Sequence, residues 1–182
     1  MYVIIFALAI LLFPVMSHAS PCSDFPWHHP AEMIEPPLFQ DARHAMKNGQ
    51  LLEARQLLGS FLSKHPEGAL ANSARWALTS LPTEEAHEGD EKSKDMIDRL
   101  TVQRRAQPKS PYAPWSLCRV GELYQEMGWK TEANGAFEEF FGTYPEHPLT
   151  GGVLLSSAKD VLDEKKYIEA ALIFRRVVEG PK

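Results

Sequence analysis

The stretch that decides the fold is VGELYQEMGWKTEANGAFEEFFGTYP, residues 120–145. Apolar residues recur at helical spacing on both sides of Gly128, so the segment reads as two helices joined by a tight turn. Gly121 and Tyr124 share the first helix, and Ala133 and Phe137 lie four apart on the second. Gly121 and Ala133 are small enough for two helices to approach closely, and Tyr124 and Phe137 fill the space beside them. Gly128 supplies the positive φ at a helix end, and Pro145 stops the second helix. Phe137 is expected to pack inside its own hairpin. Phe140, Phe141 and Tyr144 reach toward the next unit, and Pro145 and Pro148 force the turn into it.

The same frame recurs. In DARHAMKNGQLLEARQLLGSFLSKHP the corresponding places are Ala42, Ala45, Gly49, Ala54, Leu58 and Pro66. Downstream, Ala158, Val161, Ala170, Phe174 and Val177 take them. From Ala133 to Ala170 is 37 positions, as is Phe137 to Phe174. A degenerate copy lies between the first two, where Met96 and Leu100 stand 37 positions before Ala133 and Phe137. Its extra residues fall in PTEEAHEGDEKSKD, which reads as a solvated, charged loop with room for a helical turn. The expected hairpins are 38–48 with 51–64, 68–80 with 90–106, 113–127 with 131–143, and 151–163 with 167–179. Units of this size cannot bury their apolar faces alone, and stacking supplies the core. The fold class expected is all-α, an α-solenoid of about four hairpins.

Gly121, Tyr124, Gly128, Ala133, Phe137 and Pro145 together resemble the tetratricopeptide (TPR) pattern. The family's Trp near the start of the first helix is absent, with Leu117 there and Trp115 out of frame. The resemblance covers residues 38–179 and is poorest in the second unit. The 37-residue spacing and YPEHP between units are similar to exported bacterial repeat proteins, the outer-membrane-assembly lipoproteins and the Tol-Pal coordinator. The lipid-attachment motif of the first and the coiled coil of the second are missing. The resemblance implies a protein-binding groove lined by the first helix of each hairpin. Here that means Phe39, Arg43, Met46 and Lys47, then Trp115, Arg119, Glu122, Gln125 and Glu126, then Leu155, Lys159 and Asp163. The Lys/Asn set with which some members clamp a peptide carboxylate is not at those places. A partly basic groove with two aromatics suits an extended or helical peptide.

The rest of the chain bounds the setting. At 182 residues with a net charge of −5, it is about one domain, without the basic excess of a nucleic-acid binder. MYVIIFALAILLFPVMSHA, residues 1–19, carries no charged side chain, and its apolar run Val3–Phe13 is shorter than the about 20 residues that span a membrane. Ser17-His18-Ala19 offers small residues for a signal peptidase, so cleavage after Ala19 is expected, with an uncleaved anchor as the alternative. Residues 20–37 hold five prolines and read as a tether or extended arm. Pro21 before Cys22 disfavours lipidation. An exported chain could pair Cys22 with Cys118. The favoured expectation is instead that Cys118 is a small buried hydrophobe, since nothing in the sequence holds Cys22 near it.

No chemistry is evident. His28-His29 lacks partners at ligand spacing, Glu146-His147 falls in a turn between repeats, and His87-Glu88 falls in the charged loop. His44 and His65 read as solvated or capping residues. There is no H-E-x-x-H, Gly-rich phosphate loop or G-x-S-x-G, and Cys118 has no His at helical spacing. The chain is therefore expected to carry no catalytic residue, metal site, cofactor or small-molecule substrate. Its expected partner is a protein or peptide of the cell envelope. The alternative is a helical accessory of a peptidoglycan-processing enzyme, like the solenoid of lytic transglycosylases. The last hairpin has no capping helix, so Val177 and Val178 are left for a partner, a second copy or a longer chain.

Overall fold

The computed structural model describes residues 21–22, 25–27, 34–83 and 89–179, with side chains to 175. Residues 1–19, expected to be a signal segment, together with His28-His29, His87-Glu88 and the side chains of Val177 and Val178, lie outside the described residues. Those residues form eight helices and no strand: α1 Pro37–Lys47, α2 Leu51–Lys64, α3 Ala69–Ser80, α4 Asp90–Ala106, α5 Ala113–Glu126, α6 Lys130–Thr143, α7 Thr150–Asp163 and α8 Tyr167–Glu179. None is long and apolar enough to cross a membrane. The closest helix–helix packing runs between helices adjacent in sequence, above all α1–α2, α5–α6 and α7–α8.

Three of these pairs are joined by one turn, made three times. Gly49, Gly128 and Lys165 each adopt positive φ, at 73°, 75° and 59°. The following N–H reaches back five residues in every case: Gln50 to the Ala45 carbonyl, Trp129 to Tyr124, and Lys166 to Val161, at 2.9, 2.8 and 3.1 Å. This bond satisfies a carbonyl that the helix end leaves open. Lys165, 37 positions beyond Gly128, holds the left-handed conformation without being glycine.

A second device closes α2, α4 and α6. His65, Gln107 and Tyr144 follow them with φ near −130° (−132°, −133° and −131°), and each precedes a proline. The proline ring disfavours a helical residue before it, so the helix stops there. Inside the third hairpin, Gly121 faces Phe137 so closely that a β-carbon would sit 2.3 Å from the ring. The expected small-residue contact is present.

The second hairpin packs differently from the others. The buried residues form two clusters. One joins α1, α2 and α3 around Phe39, Leu58, Phe61 and Ala74. The other joins α4 to α7 around Leu100, Leu117, Phe137 and Val153. The division therefore falls between α3 and α4, inside the pair expected to be one unit. The cause lies in α4, which buries only Ile97 and Leu100 along 17 residues.

Polar and aromatic contacts bridge this seam. Across it, the Arg99 guanidinium donates to the Thr79 and Leu81 carbonyls at 2.7 and 2.9 Å, while Arg55 of α2, on the same side as α3, donates to Leu81 and Pro82 at 2.9 and 2.6 Å. These cations satisfy carbonyls at the end of α3, where the helix dipole is negative. Trp76 of α3 stacks on Tyr112, and the Tyr112 hydroxyl donates to Ser73 Oγ at 2.5 Å. α4 takes the 90–106 bounds expected for it, so the second half of the charged run, Asp90 to Asp95, is helix, and Asp95 pairs with Arg99 at 3.0 Å.

Candidate binding groove

The described part of the N-terminal arm lies against the helices and runs back along them. Pro21 packs on α7 so closely that a β-carbon on Gly152 would lie 2.6 Å from it. Cys22 is disulfide-bonded to Cys118 of α5, with Cα atoms 6.0 Å apart and both residues buried. This corrects the expectation that Cys118 is an unpaired core residue. The partner was hidden because Cys22 is held by contacts a proline-rich sequence does not advertise. Its backbone N–H donates to Glu122 Oε1 at 2.9 Å, and Phe25, three residues on, is locked among aromatic rings.

Phe25 is the central contact. It stacks on Tyr112 at 5.3 Å and meets Trp115 edge-on at 5.1 Å and Trp27 at 4.8 Å. Trp27 continues onto Phe39 of α1 at 5.3 Å, and the Arg43 guanidinium lies 5.6 Å from its ring centre. Each aromatic pair of this kind contributes about 0.5–1.5 kcal/mol beyond its buried area. Phe25 packs against both core clusters. Farther along the arm, Glu35 forms an ion pair with Arg43.

An open groove of about 930 Å³ lies beside the arm and across the seam. Trp27 and Phe25 of the arm line it, with Arg43, Met46 and Lys47 of α1, Trp115, Arg119 and Glu126 of α5, Leu81 and Pro82 after α3, and Lys92 and Met96 of α4. The volume falls in the range of ligand-binding clefts, and more of its wall area is apolar than polar, although about half of the lining side chains are polar or charged.

Six of the twelve expected groove residues therefore share one cleft: Arg43, Met46, Lys47, Trp115, Arg119 and Glu126. The others do not line it. Phe39 is wholly buried beneath Trp27. Glu122 is buried, held by the Cys22 N–H and by Arg119 at 3.3 Å. Gln125 donates to Asp160 at 2.5 Å and to the Ser156 carbonyl at 3.2 Å, joining α5 to α7. Leu155, Lys159 and Asp163 are exposed on α7 outside the cleft.

The sequence reading missed the arm residues Phe25 and Trp27 and the α4 residues Lys92 and Met96. An available signal was two aromatics at alternate positions in a segment otherwise lacking a period. The α4 contribution had none, because the resemblance assigns the groove to first helices and α4 is a second helix. Cys22, Cys118 and Glu122 do bring possible metal-binding atoms within 4.8 Å of one another. Both sulfurs are already spent in the disulfide, so this cluster serves to fix the arm.

Comparison with protein-family models, curated proteins and solved structures returned no match. The functional reading consequently rests on the groove and the arm.

Proposed function

We propose that this chain is a non-catalytic binding scaffold, a solenoid of four TPR-like hairpins whose inner groove holds a protein or peptide partner in the cell envelope. The observation that carries the reading is the open, partly apolar cleft of about 930 Å³ between α1, α4 and α5. Peptide segments recognise such a surface through apolar anchors set between a few polar contacts. Placement outside the cytosol is supported by the apolar leader and by the Cys22–Cys118 disulfide, since such bonds persist in oxidising compartments.

The test is crosslinked capture from envelope extracts with the parent and a Met46→Glu/Leu51→Glu variant. Leu51 is 38% exposed, whereas Met46 is half-buried against the α1–α3 core, so helical content and Tm of the variant are measured beside capture. A captured protein that depends on these two residues, with helical content unchanged, supports the scaffold reading. Equal recovery by both versions refutes the groove as the binding surface.

A further inference from the structure

The charges around the groove are uneven. Arg43, Lys47, Lys92 and Arg119 bring four positive groups to its lining, against Glu35 and Glu126. The chain as a whole carries a net charge of −5, so this cleft opposes the character of the molecule. The two arginines are engaged internally. Arg43 pairs with Glu35, and Arg119 pairs with Glu122 at 3.3 Å and Glu126 at 2.7 Å.

The lysines differ. Among the described residues, neither Lys47 nor Lys92 has a carboxylate within ion-pair distance. Lys47 ends α1 and Lys92 stands in the first turn of α4, so they approach the cleft from the two sides of the seam. The same lining also carries Met46, Met96, Leu81 and Pro82. Met side chains adapt to irregular apolar partners.

We propose that the groove takes a linear acidic peptide segment, whose Asp or Glu side chains meet Lys47 and Lys92 and whose apolar residue enters the Met46–Met96 wall. This inference rests on the groove-binding reading and names the chemistry of its occupant. Complementary charge suppresses wrong partners and speeds encounter, while the apolar anchor holds the complex. A basic segment is repelled, and a neutral one loses the contribution of both lysines. The subsite draws on α4 and is thereby distinct from a groove made of first helices alone.

The test begins with selection from a displayed random-peptide library on the immobilised full chain. The best peptide is then synthesised with its acids intact and with Asn and Gln in their place. Binding is read by fluorescence anisotropy against the parent, Lys47→Glu/Lys92→Glu, and Met46→Glu. The expected peptide is acidic and carries an apolar residue. It loses at least about tenfold in affinity through either amide replacement or lysine reversal, with less loss at high salt. If the reversed pair loses helical content, Lys47→Gln/Lys92→Gln replaces it.

Binding indifferent to amide replacement and to the lysines, yet lost in Met46→Glu, overturns the acidic class and leaves the groove reading intact. Failure to enrich any peptide, or binding unchanged in Met46→Glu, overturns the groove reading and this inference with it.

Discussion

Replacing Gly121 by alanine tests the close approach of α5 to α6. The new β-carbon would lie 2.3, 2.7 and 2.9 Å from three carbons of the Phe137 ring. Ordinary carbon contacts lie at about 3.5–4.0 Å, so the ring or the helix must retreat by roughly 1 Å. Phe137 is only 1% exposed, and its other neighbours leave it little room. Overpacking of this kind costs about 1–3 kcal/mol, while alanine in place of glycine in a helix returns up to about 1 kcal/mol. The net expectation is a loss of about 1–2 kcal/mol, a fall in Tm of roughly 2–8 °C for a chain of this size. Gly135 of α6 supplies the control, because a β-carbon there meets nothing within 4 Å. Gly135→Ala should stabilise by about 0.5–1 kcal/mol. Urea unfolding followed by far-UV ellipticity measures both. Phe137→Leu should also cost less beside Gly121→Ala than alone, because the smaller side chain makes room. If Gly121→Ala proves as stable as the parent or more so, the packing of α5 on α6 described above is wrong.

Other outcomes follow from the same reasoning. Removing the disulfide with Cys22→Ser/Cys118→Ser frees a link across a sequence separation of 96, for which chain entropy sets a loss of up to about 4.7 kcal/mol. Urea unfolding and protease cleavage between Cys22 and Trp27 check it, and unchanged stability would mean the arm is held without the bond. Lys165→Gly should stabilise by up to about 1 kcal/mol, since it relieves a side chain at φ 59°; a lower Tm would contradict this. Hydrogen bonds and charge from Lys166 and Lys130 hold the exposed Glu164 carboxyl below its ordinary 4.5. A depressed carboxylate contributes stability above its unfolded pKa and loses it as pH falls through the folded value. Glu164→Gln should therefore flatten the stability profile slightly below pH 4.5, and an NMR midpoint at or above 4.5 would remove the effect.

Helix ends and pairings were legible because they depend on local chemistry. A glycine at positive φ and a residue before proline act wherever they stand, so Gly49, Gly128, Pro66 and Pro145 announced their turns. Gly121 facing Phe137 was legible for the same reason, from the spacing of small and large residues along two neighbouring helices. The seam was harder to see. Met96 and Leu100 kept the repeat's period, yet period alone does not say which core a sparse apolar face joins. Half of the expected groove residues share the cleft: Arg43 and Trp115 came from the resemblance, which assigns the groove to first helices, whereas Lys92 comes from a second helix. Phe39 and Glu122 were placed on the correct helices, but the arm covers them. Glu122 is covered from Cys22, 100 positions away, and Phe39 from Trp27, 12 positions earlier on an arm without a helical period, so no local pattern encodes either contact.

The arm also imposes an order on synthesis. Cys22 leaves the ribosome 96 residues before its partner, and at about 5–20 residues per second it waits roughly 5–20 s for Cys118 to be made. Tyr112 and Trp115, the rings that seat Phe25, are equally late. Until they are made, the cleft cannot acquire its arm wall, and Trp76 of α3 lacks the ring it stacks on. The first described segment to be made is thus among the last to be seated, and the finished groove records the completion of the chain through α5.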